Sequence, residues 1–185
     1  MELTKHIKIY DQVLPWQILS NLIRSINTYE FEDAKIGPNK IVNKKIRKTN
    51  VFQMSNQYDD LAKVHWHNVL FYVFSKHIFQ YMQSHKLAHV PEVNNIQVLR
   101  YDVDDHYKWH IDHFKTFPRT LSCIFLLNND YEGGNLCFKD PSSLQEYKID
   151  NKPNRLIVWP SNFLFPHTVK PVTKGRRYSV VSWAL

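Results

Sequence analysis

Cysteine, glycine and long apolar runs are all scarce in this 185-residue chain, and each scarcity removes a class of protein. The two cysteines, Cys123 and Cys137, form no close pair of the kind that holds zinc or runs redox chemistry. Both fall in strand-like stretches and read as reduced core residues. No apolar run approaches the roughly 20 residues that cross a bilayer, so no membrane partner is expected. The opening residues, Met1 to His6, interleave charge with apolar side chains and lack a signal-peptide core. A cytoplasmic setting is therefore expected. Of only four glycines, Gly133, Gly134 and Gly175 punctuate the second half, where tight turns need positive φ.

What is plentiful points to a packed globular protein. Hydrophobic residues make up 43% and aromatics 14% of the chain. At this length a single domain, 1–185, would bury on the order of 70% of its unfolded surface. The net charge of +7 favours anionic partners such as nucleic acid or acidic small molecules, and serves equally well as ordinary solubility charge. Its densest stretch, 35–48, carries six cations and no acid. As a charged loop between two early strands it is either solvated surface or a flap over an active site.

Periodicity divides the chain. Pro15 opens a helical pattern through Trp16, Leu19, Leu22, Ile23 and Ile26. A longer one starts at Asp59-Asp60, where two acids suit the positive end of a helix dipole, and runs to about His85. Its apolar residues cover much of the circumference, so a mostly buried helix is expected. From residue 96 the signal turns to short β-branched and aromatic runs at 96–101, 120–127, 156–159 and 178–183. Residues 1–95 thus read as supporting helices and strands, and 96–185 as a compact antiparallel sandwich or barrel.

The chemistry concentrates in that second part. His110-Ile111-Asp112 is a weak motif alone, since ten histidines and eleven aspartates would place about 0.6 such pairs by chance. In a strand, however, residues two apart share a face, so both side chains could reach one ion. His167 lies in another strand-like segment, 163–169. Two imidazoles and a carboxylate are the donor set of a non-haem Fe(II) oxygenase. Alternation in the last strand puts Arg177, Ser179, Val181 and Trp183 on one face. The turn 170–175 would return the chain antiparallel and set Arg177 beside His167. A buried guanidinium is costly without a counter-charge, so an inward Arg177 asks for an anion, which a dicarboxylate co-substrate would supply. The remaining candidates, His65, His67, His77, His85, His106 and His113, read as structural or surface residues.

Taken together, Tyr101, the run Tyr107-Lys108-Trp109-His110-Ile111-Asp112, the stretch Arg119-Thr120-Leu121-Ser122, the segment from Phe125 to Leu136 with Gly133-Gly134, and the stretch from Trp159 through His167 and Arg177 to Trp183 resemble the 2-oxoglutarate- and Fe(II)-dependent dioxygenases of the prolyl 4-hydroxylase superfamily. The resemblance covers roughly 97–185. It implies an α+β, mainly β fold: a double-stranded β-helix (jelly-roll) with N-terminal helices packed on one sheet. It implies His110, Asp112 and His167 as iron ligands and Arg177 as the partner of the distal carboxylate of 2-oxoglutarate. Tyr101 matches a residue bordering the co-substrate. Tyr107, Arg119 and Trp183 match positions lining the target-residue pocket. Where relatives often carry a tyrosine and a threonine that hydrogen-bond the co-substrate, this chain has Leu126 and Val181. Arg177 would then lean on Tyr101 and Ser122.

The implied cofactors are Fe(II), 2-oxoglutarate and O₂, with ascorbate as an accessory reductant. The implied reaction hydroxylates a prolyl residue of a protein or peptide and releases succinate and CO₂; nothing is implied about oligomeric state. Two other readings stand beside it: an oxidative nucleic-acid demethylase of the same superfamily, favoured by the positive charge, and a catalytically silent binding module.

Overall fold

The computed structural model describes residues 3–37, 41–55, 57, 60–116 and 118–185. Strands are numbered along the chain. The large sheet has the order β1 (Lys8–Asp11), β11 (Arg155–Pro160), β7 (Leu121–Leu126), β14 (Arg177–Ala184), β5 (Val93–Tyr101), β4 (Asn50–Gln53) and β2 (Glu32–Asp33). The smaller sheet has the order β10 (Glu146–Lys148), β9 (Leu136–Lys139), β12 (His167–Val169), β6 (His106–His110) and β3 (Arg47–Lys48). A separate pair joins β8 (Tyr131–Gly133) to β13 (Val172–Gly175). All pairings are antiparallel. Successive strands β5, β6 and β7, and again β11, β12 and β14, cross between the two large layers. This is the jelly-roll expected from the sequence.

Side-chain alternation explains why the large-sheet strands read as unbroken apolar runs. On β14, Tyr178, Val180 and Ala184 join one core with the helices, whereas Val181 and Trp183 face a second core between the sheets. On β7 the same division separates Cys123 and Phe125 from Ile124 and Leu126. Both cysteines are buried free thiols.

Helix α1 (Trp16–Ile26) buries Leu19, Leu22 and Ile26 against the outer face of the large sheet. Helix α2 (Leu61–Ser84) is capped by Asp60, whose carboxylate accepts from the amides of Ala62 and Lys63. Asp59, the other acid expected at this end, lies outside the described residues, as do Met1, Glu2 and Pro38 to Lys40 of the basic segment. The expectation that α2 is mostly buried needs correction. One stripe, Trp66, Leu70, Val73, Phe74, His77, Ile78, Tyr81 and Met82, is covered. Leu61, Phe71, Tyr72 and Phe79 are exposed, because only one side of the helix meets the sheet. Among the described residues, no helix is long and apolar enough to cross a membrane.

The turn expected over 170–175 is also different. Val172–Gly175 is a strand paired with β8, and Arg177 enters the large sheet opposite Tyr101, not beside His167. Two glycines make this corner possible. Gly133 and Gly134 both have positive φ; a Cβ on the first would collide with the Pro171 carbonyl, and on the second would lie 3.0 Å from Arg177 Cδ.

An ion pair ties the N-terminal edge strand to its neighbour. Arg155 grips Asp11 through Nε and Nη2 at 2.8 and 3.1 Å, and Lys152 adds a third contact at 2.8 Å. These hydrogen bonds outweigh burial and hold the Asp11 carboxyl down at about 2. A lowered folded-state value stabilises above the unfolded value near 4 and is lost as pH falls through about 2. Asp11→Asn is therefore expected to lower the thermal midpoint slightly at pH 7, within the roughly 1 kcal/mol of a half-exposed pair. By pH 2 most of that deficit should be gone; an equal deficit at both pH values would refute the ionic contribution.

Candidate metal centre and anion pocket

Cross-strand register brings the two histidines together. His167 on β12 is the direct partner of His110 at the end of β6, and their rings are 4.2 Å apart. β6 stops at His110, so Asp112 is not on the strand as the alternation argument had it. It sits two residues beyond, on a segment turned back toward β7. There Ser122 donates a 2.7 Å hydrogen bond to Asp112 Oδ2 and shares another, also 2.7 Å, with Ser161. One donor atom from each of His110, Asp112 and His167 then falls within 4.8 Å of the others. The carboxylate oxygens lie 3.7 Å from His110 Nε2 and 3.4 Å from His167 Nε2.

Each ring is oriented from behind. His110 Nδ1 sits 2.8 Å from the Lys108 carbonyl and His167 Nδ1 3.1 Å from that of Phe165. A carbonyl only accepts, so Nδ1 carries the proton and Nε2 presents its lone pair to the cluster. Burial pushes the His110 imidazole well below its ordinary range, and the neighbouring His167 adds to this. For Asp112 burial pulls upward, but His167, His110 and the Ser122 hydroxyl together keep it ionised. Two imidazoles and one carboxylate, all inward, fit a divalent iron.

Aromatic rings wall this centre. Tyr107 stacks on His110 with centroids 3.5 Å apart, and Trp159 meets His167 edge-on at 5.0 Å. Arg119 donates to the Asp112 carbonyl at 3.3 Å and lies flat over Trp183, 3.7 Å from the ring centre. These groups border a cavity of about 880 Å³ between the sheets.

Arg177 is completely buried. Its Nη1 donates to Ser179 at 2.8 Å, and the guanidinium lies 5.0 Å from the Tyr101 ring centre. Nε and Nη2 have no hydrogen-bond partner, and no carboxylate pairs with the group among the described residues. Such a charge is costly unless an anion completes it. Ser122 does not touch Arg177: it is committed to Asp112, and Ser179, two positions along β14, takes the place expected of it.

Sequence reasoning passed over several groups here. Arg47 belonged only to a basic stretch, yet β3 pairs it with Tyr107 and sets its guanidinium 4.9 Å from that ring's centre. Lys35, Ile36, Gly37 and Arg47 line the cavity, whereas Lys44 and Lys48 are spent in ion pairs with Asp33 and Asp105. Both described ends of the segment thus border the cavity. No residue pattern signals that position; the pairing of β3 with β6 creates it. Of the remaining histidines, His77 is buried with Nδ1 2.7 Å from the Val73 carbonyl, and His113 is exposed and bonded to the Arg119 carbonyl.

Ser122→Ala removes the hydroxyl that fixes Asp112. Metal affinity is expected to fall by about 10- to 100-fold, the range for groups that orient a ligand. Titration of the apoprotein with Mn(II) would measure it, and unchanged affinity would show that Asp112 needs no such support.

Residues 96–185 match the family model described as the 2OG-Fe(II) oxygenase superfamily. A PKHD-type hydroxylase of Synechococcus sp. (strain CC9902) is 34% identical over 100 residues, covering 52% of this chain and 43% of that protein. Human prolyl 3-hydroxylase 3 is 35% identical over 66 residues, 35% of this chain and 9% of that one. The chain thus spans less than half the length of the curated relatives it matches. Among solved structures, a Trichoplax adhaerens prolyl hydroxylase bound to a peptide of hypoxia inducible factor superposes with a TM-score of 0.76 at 18% identity, covering 98% of this chain and 84% of that one. A Pseudomonas putida prolyl-4-hydroxylase gives 0.72 at 18% identity, covering 99% and 95%. These superpositions establish a shared fold.

Proposed function

From the premise that residues 96–185 belong to the 2OG-Fe(II) oxygenase superfamily, we propose that this chain is a 2-oxoglutarate- and O₂-dependent hydroxylase of prolyl residues in proteins or peptides. The observation that carries the reading is the pairing of two preformed features across one interior. Three inward donors converge at the end of the small sheet, and a buried guanidinium with two unpartnered nitrogens waits on the large one. Iron fits the first and a dicarboxylate the second. When bound, Fe(II) and 2-oxoglutarate would supply the O₂ chemistry that yields succinate, CO₂ and a hydroxylated C–H.

In this reading the protein's own residues position and exclude. His110, Asp112 and His167 hold the metal, with Nδ1 contacts and Ser122 keeping their donors in place. Arg177 fixes the distal carboxylate of the co-substrate through the nitrogens left free by Ser179, and Tyr101 forms the wall beneath it. Tyr107, Arg119 and Trp183 receive the target residue. Their flat faces suit a proline ring, which has no backbone N–H to satisfy. In the same reading residues 1–95 and 96–185 act as one unit: α1 and α2 cover the outer face of the large sheet, and β1 to β4 extend the two sheets.

The test is incubation with Fe(II), 2-oxoglutarate and ¹⁸O₂ in the presence of proline-containing peptides and of methylated oligonucleotides, followed by mass spectrometry. Labelled oxygen on proline, with stoichiometric succinate, is the expected result. Oxygen on another residue would remove the prolyl assignment, and salt-sensitive oligonucleotide demethylation would replace it. No succinate under any condition would leave only a binding module.

A further inference from the structure

The anion pocket holds one group that its partner arginine does not explain. Tyr131, on β8, has a buried hydroxyl with no hydrogen-bond partner, and Arg177 has two guanidinium nitrogens in the same condition. The two side chains are neighbours. A Cβ built on Gly134 would lie 3.0 Å from Arg177 Cδ and 3.2 Å from Tyr131 Cε2, so both pass over one bare glycine. Buried polar atoms are almost always paired, and unpaired ones mark a missing partner. Here three such atoms lie on two neighbouring side chains. Leu126 and Val181, which pack in the core between the sheets, offer no hydroxyl of their own.

We infer that the Tyr131 hydroxyl is a second arm of the anion pocket, donating a hydrogen bond to the same distal carboxylate that Arg177 holds. It supplies from β8 a hydroxyl that the inward-facing Leu126 and Val181 do not. The inference rests on the reading of Arg177 given above. Burial pushes the phenol above its ordinary range against the pull of the adjoining Arg177 guanidinium, so it keeps its proton and can donate. Gly134 is what lets it approach: any side chain there would press between phenol and guanidinium.

The test uses the full chain loaded with Mn(II), without turnover, and calorimetric titration with two ligands. 2-Oxoglutarate has the distal carboxylate; pyruvate presents the same oxo-acid end without it. Tyr131→Phe removes only the hydroxyl. Its Kd for 2-oxoglutarate should rise about tenfold, as for loss of one hydrogen bond to a charged group. Its Kd for pyruvate should change by less than about twofold. Equal 2-oxoglutarate affinity in parent and variant would overturn the inference while leaving the Arg177 reading intact. Equal losses for both ligands would also overturn it, since a general disturbance of the site would then be at work. Absence of 2-oxoglutarate binding in the parent would remove both readings together. If Tyr131→Phe fails to fold, 3-fluorotyrosine placed at position 131 alone serves instead. Its ¹⁹F resonance should shift on adding 2-oxoglutarate and stay put with pyruvate; no shift with 2-oxoglutarate overturns the inference.

Discussion

Asp112→Ala should lose metal affinity by more than about a hundredfold, beyond the range seen for groups that merely orient a ligand. Succinate formation should fall to background with it. The carboxylate is the one anionic member of the donor cluster, and it lies within 3.4 to 3.7 Å of both imidazole nitrogens. Without it, two imidazole nitrogens face a buried space with no negative charge to offset a dication. The fold should survive, because Arg119 bonds the backbone carbonyl of residue 112, which alanine retains, and Ser122 keeps Ser161 as a partner. Metal titration of the apoprotein, thermal melting and a succinate assay separate these outcomes. A variant that melts normally, still binds Mn(II) tightly and still forms succinate would end the case for a metal centre at this position.

Arg177→Ala should have the opposite selectivity. 2-Oxoglutarate affinity is expected to drop by about two orders of magnitude, the effect of leaving a buried carboxylate without its charged partner. Mn(II) affinity should change little, because Arg177 is on the opposite sheet from the two histidines and hydrogen-bonds none of the donors. Thermal shift gives a second reading. The parent should gain stability on adding 2-oxoglutarate to the Mn(II) form, as any ligand that binds only the native state requires. The variant should gain almost none. Equal stabilisation of both proteins would show that the anion binds elsewhere and would leave Arg177 as an unexplained buried charge. Ser179, Tyr101 and Gly134 argue against that outcome, since all three are arranged around the guanidinium and none neutralises it.

Comparing these two sites with the residues that announced them shows where sequence reasoning holds. The strands at 96–101, 120–127, 156–159 and 178–183 correspond to β5, β7, β11 and β14, all in the large sheet. They were legible because both faces of that sheet are covered, one by helices and one by the opposed sheet, so nearly every position is apolar. The smaller sheet was harder to see. β9, β10 and β12 are three or four residues long, too short for a period to emerge. The exposed side of α2 was misjudged for a related reason: hydrophobic residues mark what could be buried, and only the partner surface decides which are.

The order of residues along the chain determined the donor types, the inward face of the last strand and the expectation of a buried guanidinium at Arg177. Those follow from chemistry local to each residue, because periodicity and charge are properties of short stretches. The tertiary structure alone decided that Asp112 reaches the cluster from beyond its strand, that Ser122 serves Asp112 while Ser179 serves Arg177, that Arg47 lines the cavity, and that Tyr131 lies beside Arg177. Each of these depends on which strands become neighbours across two sheets. Such long-range pairings are set by the burial of the whole chain and leave no mark on any single segment.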